Sequence, residues 1–139
     1  MNNEFEQISL KPGFMKHNGG IMFKTISENE YQFKATITEN HLNAAGITHG
    51  GFIAAFVDAG AGTAAHRSAD NNPCVTISLE LKFISAVKLS QELVGNTKIQ
   101  KKTKTMIFLT SELMVENRIV ATASGVWKIL KLAGADPGG

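Results

Sequence analysis

The chain has 139 residues, one domain's worth and long enough to bury a sizeable core. With 43% hydrophobic and 19% charged residues it has the composition of an ordinary soluble globular protein, and a net charge of +2 is too small to argue for a nucleic-acid partner. No stretch approaches the ~20 apolar residues of a membrane span, MNNEFEQISL does not read as a signal peptide, and Cys74, the only cysteine, excludes an intrachain disulfide or a cysteine-based metal cluster, so a cytoplasmic location is the expectation.

Residues 1–19 are mixed in character, and Phe5, Ile8 and Leu10 predict a short helix or docking arm that Pro12-Gly13 ends. Residues 20–132 read as one domain. Two strands, 21–27 and 31–38, are expected about a tight turn at Glu28-Asn29; the second alternates Tyr31, Phe33, Ala35 and Ile37 with Gln32, Lys34, Thr36 and Thr38. A loop over 41–49 leads into one helix, about residues 50–67. After the turn cluster Asp70-Asn71-Asn72-Pro73 only strand patterns remain. Val75, Ile77, Leu79, Leu81 and Phe83 alternate with Thr76, Ser78, Glu80 and Lys82. Residues 92–101 form a further strand in which Gly95 is expected to mark a bulge. Lys101-Lys102-Thr103-Lys104 connects it to a last pair, 105–115 and 119–130, joined at Glu116-Asn117, and residues 133–139 are expected to be a disordered tail. The order ββαββββ gives an α+β protein: an antiparallel sheet of about six strands that must bury its single helix on one face and wrap around it.

The helix carries the informative residue. In GFIAAFVDAGAGTAA, residues 51–65, the only polar side chains are Asp58 and Thr63. A carboxylate in such a segment is costly unless it is paired or works in a site. At ~100° per residue, Phe52, Ile53, Phe56 and Val57 fall within a sector of roughly 140°, the natural face for the sheet. Ala54, Ala61, Ala65 and Gly62 fall opposite, around Asp58, where a second backbone or a ligand can approach closely. Gly60 and Gly62 each cost the helix up to ~1 kcal/mol relative to alanine, so a close contact should compensate. His49-Gly50-Gly51 opens the same helix nine residues before Asp58, roughly 13–14 Å away along the axis. That is too far for both to touch one reacting bond, whereas two antiparallel copies would bring the start of one helix beside the middle of the other.

The stretch HLNAAGITHGGFIAAFVDAGAGTAA resembles the hotdog-fold thioesterases of the PaaI type, relatives of the 4-hydroxybenzoyl-CoA thioesterases, whose signature runs Asn-x-x-Gly-x-x-His-Gly-Gly followed by an acidic residue seven positions on. Here these are Asn43, Gly46, His49, Gly50, Gly51 and Asp58. The resemblance covers about residues 20–130. A second segment, LKFISAVKL, matches at Phe83 and Ile84 but departs at Ser85, where a basic residue is frequent, and at Ala86, where proline is usual.

The resemblance implies a hotdog fold, hydrolysis of an acyl-CoA thioester, and a site shared by two subunits of a homodimer, or of a homotetramer built as a dimer of dimers. In it Asp58 is the general base or nucleophile, and the Gly50 N–H is the oxyanion donor, as suits a helix start with free N–H groups and a positive dipole end. Asn43 orients the carbonyl, the water or Asp58; His49 fixes the loop through hydrogen bonds; Thr76 holds the attacking water. Gly51 serves packing and close backbone approach, Phe83 lines the ligand channel, and the basic hairpin, Lys102 and Lys104 foremost, is a candidate for coenzyme A phosphates. No metal and no separate cofactor are implied. Two other functions remain open on the sequence: a hotdog enoyl-thioester hydratase or dehydratase using a catalytic histidine, and a non-catalytic acyl-thioester binding protein that would need no base.

Overall fold

Six segments with one apolar row each need a common body to cover, and in the computed structural model, which describes residues 4–130, that body is the helix. The elements are β1 (Glu6–Gln7), α1 (Phe14–His17), β2 (Met22–Ser27), β3 (Glu30–Thr36), a 3-10 turn (Glu39–His41), α2 (Gly50–Ser68), β4 (Cys74–Phe83), β5 (Glu92–Lys102), β6 (Met106–Val115) and β7 (Arg118–Ile129). One sheet runs in the order β1-β2-β3-β5-β6-β7-β4, and every pair is antiparallel. The expected six strands are β2 to β7. The seventh, β1, comes from the N-terminal arm; the short helix expected before Pro12-Gly13 is instead a two-residue strand there, and the four-residue helix α1 starts after Gly13, which is its N-cap. The tail expected at 133–139 lies outside the described residues.

The apolar rows meet α2. Phe52, Ile53, Phe56 and Val57 are buried, joined by Phe23, Phe33, Leu93, Ile107, Leu109 and Trp127 from the sheet. Complete burial of each such side chain stabilises the fold by roughly 1.5–3 kcal/mol. The aromatic rings form a run, with Phe33 4.9 Å from Phe56 and 6.5 Å from Phe23 between ring centres.

Two expectations about this core are corrected. Ala61 and Ala65 are fully buried and share the sheet face, because the sheet curls far enough around α2 to cover Gly60, Ala61, Ala64 and Ala65 as well. The remaining open face carries Gly51, Ala54, Ala55, Asp58 and Gly62, all exposed or half-buried. Gly95 marks no bulge: it pairs in register with Phe33 on one side and Leu113 on the other, and the irregularity in β5 falls between Ile99 and Lys101. Gly95 is required because the Phe33 ring lies on it. A Cβ there would sit 2.4 Å from the ring, and a Cβ on Gly60 would sit 2.2 Å from the same ring. Phe33 is thus clamped between a helix glycine and a strand glycine, which accounts for Gly60 inside α2.

Candidate active site

β4 brings the first two residues together. Among the described residues it is an edge strand, paired only with β7, and its register slips between Thr76 and Ser78. Thr76 pairs with Trp127 and Leu79 with Gly125. The extra residue, Ile77, therefore lets Thr76 face the helix together with Leu79, Leu81 and Phe83, although plain alternation puts Thr76 in the outer row with Ser78 and Glu80. The consequence is a hydrogen bond: the Thr76 hydroxyl donates to Asp58 Oδ1 at 2.7 Å. The second carboxylate oxygen takes no hydrogen bond among the described residues. In the single chain Asp58 is exposed, not enclosed, at a cavity of about 360 Å³ that Thr76, His66, Cys74 and Trp127 also line. Burial pushes the Cys74 thiol above its ordinary value, which keeps it protonated and poorly nucleophilic.

The second group assembles at the start of α2. His49 is the N-cap residue, and its Nδ1 accepts the Gly51 N–H at 2.8 Å. A neutral His49 ring therefore carries its proton on Nε2. Phe52 and Ile53 donate to the His49 carbonyl. That leaves the Gly50 N–H, which no acceptor among the described residues takes, as the free donor of the helix start. The loop before it is built by Asn43. Asn43 Oδ1 accepts from Ala45 N at 2.9 Å and Ile47 N at 3.3 Å, which fixes the amide's orientation and turns its NH2 into the free end. Thr48 pins the loop to the segment after β4, its N–H and hydroxyl both donating to the Val87 carbonyl at 2.8 Å. The His41 carbonyl takes the His49 N–H at 2.8 Å.

Asn43, Gly50 and Phe83 line one cavity of about 330 Å³, with Ile53, Ile84 and Val87 as its apolar walls. The Phe83 ring lies 3.5 Å from where a Gly50 Cβ would be. Gly51 has no such room: a Cβ would meet His49 Nδ1 at 2.9 Å, so its smallness serves the cap. The two groups do not meet within one chain. Gly50 and Asp58 are eight residues apart on α2, about 12 Å along its axis. Lys102 donates to the Ser68 carbonyl at 2.8 Å and lies 3.6 Å from the Asp70 carboxylate, closing the C-terminal end of α2, where a cation suits the dipole. Lys104 is exposed in the β5–β6 turn and lines neither cavity. Among the described residues no three His, Cys, Asp or Glu side chains converge as a metal site would require. No described helix is long and apolar enough to cross a membrane.

Sequence reasoning missed Trp127, which walls the Asp58 cavity and whose Nε1 lies 3.2 Å from where a Gly62 Cβ would be. Its signal was the tryptophan itself, the only one in the chain, on a strand facing a glycine-bearing helix. Arg118, on β7, has a structural role that the sequence does not show. It reaches across to donate to Ser85 Oγ and, at 3.2 Å, to the Ala86 carbonyl, holding the segment that walls the Gly50 cavity.

Comparison with known proteins gives a consistent picture. Residues 45–122 match the family model described as the thioesterase superfamily. A Pseudomonas aeruginosa protein described as an inferred esterase is 34% identical over 94 residues, covering 67% of this chain and 70% of that one. Acyl-coenzyme A thioesterase 13 of Mus musculus is 26% identical over 102 residues, covering 73% of each. Among solved structures, zebra fish thioesterase superfamily member 2 superposes with a TM-score of 0.79 at 21% identity, covering 87% of this chain and 89% of that one. A hypothetical thioesterase protein of Streptococcus pneumoniae, solved with coenzyme A, has a TM-score of 0.74 at 17% identity, covering 91% and 95%.

Proposed function

The chain belongs to the thioesterase superfamily, and from that premise we propose that it hydrolyses an acyl-CoA thioester to the free acid and coenzyme A at a site shared by two copies of the chain. The observation that carries the reading is the Asp58–Thr76 hydrogen bond on the open face of α2, with an unclaimed Gly50 N–H about two turns away on the same helix.

A two-fold partner is favoured by what the single chain leaves uncovered. β4 is an unpaired edge with Val75 and Ile77 exposed at 42% and 55%, and beside it lies the small-residue face of α2. An edge of this kind invites pairing with another strand, and an isologous pairing of β4 with β4 would lay the two α2 helices antiparallel. Gly50 of one copy would then stand against Asp58 of the other.

In that arrangement the free oxygen of Asp58 takes a proton from water as the water oxygen attacks the thioester carbon. Thr76 holds the other carboxylate oxygen and so aims the free one. The carbonyl oxygen, gaining charge, is met by the Gly50 N–H at the positive end of α2; loss of one such donor typically costs ~2.7–4 kcal/mol of transition-state stabilisation. The Asn43 NH2 is a second donor on the same cavity wall. Collapse of the tetrahedral intermediate breaks the carbon–sulfur bond, and the proton held by Asp58 passes to the leaving thiolate, giving acid and thiol. Direct attack by the carboxylate through an anhydride uses the same residues. His49 acts through the turn, as the cap that presents Gly50.

The test is thiol release from acyl-CoA esters. Asp58→Asn keeps size and hydrogen bonding but removes the base, so kcat should fall by about 10²–10⁴-fold with the fold intact. Retention of most hydrolysis would remove Asp58 from this role.

A further inference from the structure

We propose that the groove between the N-terminal arm and α2 is the acyl-chain site, taking a flexible aliphatic acyl group that reaches past Ala59. The proposal rests on the reading of Asp58 as the reaction centre. The groove, about 470 Å³, lies within the size range of ligand sites and is bounded by Ile8, Leu10, Met15, Ile21, Ala59 and Thr63. Ala59 and Thr63 also line the Asp58 cavity, so the two spaces adjoin along one helix edge. From Asp58 to Thr63 is five residues, roughly 7–8 Å along the axis. An extended chain spans that distance with about six bonds of ~1.5 Å each.

The two hydroxyl side chains of the wall, Thr63 and Ser9, are already engaged. The Thr63 hydroxyl donates to the Ala59 carbonyl at 2.8 Å, leaving its methyl. Ser9 Oγ accepts the Ile21 N–H at 3.1 Å, and Gln7 Oε1 accepts the Ser9 N–H at 2.9 Å. Lys11 and Lys16 also line the groove, both as exposed side chains, so its charged groups stand toward solvent while the remaining wall is largely apolar. The arm is held in place before any ligand arrives. Gly20, at φ 71°, donates to the Met15 carbonyl at 2.7 Å, and a Cβ on it would sit 2.7 Å from Gln7 Oε1. Arg67 of α2 pairs with Glu6 at 2.6 Å. Leu10, 69% exposed at the rim, is an apolar side chain left uncovered among the described residues, and an acyl chain leaving the groove would pass beneath it.

The experiment measures binding of two unreactive thioethers, S-ethyl-CoA and S-dodecyl-CoA, by calorimetry, with thiol release from acyl-CoA esters measured in parallel. The wild-type protein should bind the dodecyl compound about 100-fold or more tightly than the ethyl compound, since the longer chain leaves water. Ala59→Leu, which fills the floor, should cut that ratio at least tenfold. Leu10→Asp, at an exposed position that does not threaten the fold, should cut it severalfold. A ratio near one in the wild-type protein, or one unchanged in both variants, overturns the acyl-chain assignment even where hydrolysis continues. Binding of neither thioether overturns it too, and loss of the Asp58 requirement in the thiol-release arm identifies the thioesterase reading as what failed.

Discussion

If Gly50 and Asp58 serve one reaction from different chains, two inactive variants should restore each other. The donor variant follows from the backbone. Gly50 is the first residue of α2, its N–H has no acceptor among the described residues, and its φ is not positive. Proline suits that first position, and the residue before a proline must be extended, as His49 already is with φ −62° and ψ 132°. A side chain at Gly50 would meet Phe83 at 3.5 Å, an ordinary contact. Gly50→Pro should therefore fold normally and lose only the donor, at about 10²–10³-fold in kcat. Asp58→Asn removes the base. Unfolded together and refolded at equal amounts, random pairing puts about half the dimers in the mixed form, and each mixed dimer holds one intact site of two, so activity should recover to about a quarter of wild type. A chain carrying both substitutions, mixed with wild type, makes mixed dimers with no intact site and gives about a quarter from wild-type pairs alone. No recovery in the first mixture, with both variants folded, would refute the shared site.

Thr76→Val keeps the shape of β4 and deletes the hydroxyl that donates to Asp58 Oδ1 at 2.7 Å. A hydrogen bond to a charged group is worth ~1.5–3 kcal/mol, so kcat should fall about 10–100-fold and Thr76→Ser should restore it; an unchanged kcat removes Thr76 from the site. Gly60→Ala tests the Phe33 clamp by sign. In an open helix the change stabilises by up to ~1 kcal/mol, but here the new Cβ would sit 2.2 Å from the ring and should destabilise by ~1–3 kcal/mol in urea unfolding. Ile77→Lys places a charge on the exposed edge of β4, and sedimentation should then show a monomer that no longer releases thiol.

Much of this was legible before any coordinates. Strict alternation in residues 31–38, and the apolar run between His49-Gly50-Gly51 and the turn cluster at Asp70-Asn71-Asn72-Pro73, placed β3 and α2 within one or two residues of their observed bounds. The motif Asn43, His49, Gly50 and Asp58 pointed to the two groups of the candidate site. What could not be read depended on contacts distant in sequence. Gly95 looks like a bulge in isolation and becomes a packing glycine only when Phe33, 62 positions away, lies on it. The bulge at Ile77 has no glycine or proline to announce it, so Thr76 reads as an outward residue until β7 fixes its partner as Trp127. Ala61 and Ala65 were assigned to the open face because a helical wheel does not show how far a curved sheet wraps around it.

The same glycines and alanines that weaken α2 as an isolated helix explain why it can hold the two halves of a site. A helix can offer a free N–H only at its first turn, and a carboxylate carried in its middle is about 12 Å away by the rise of the helix alone. No side-chain rotamer closes that gap. A second helix running the other way closes it, provided the backbones can approach, and Gly51, Ala54, Ala55 and Gly62 on the open face keep bulk out of the way while Asp58 stands among them. Large side chains there would stabilise one chain and separate the two centres. On this reasoning the small-residue face and the exposed apolar edge of β4 are one feature. Each leaves open surface on the single chain, and both lie on the side from which the proposed second copy would bring the other half of the site.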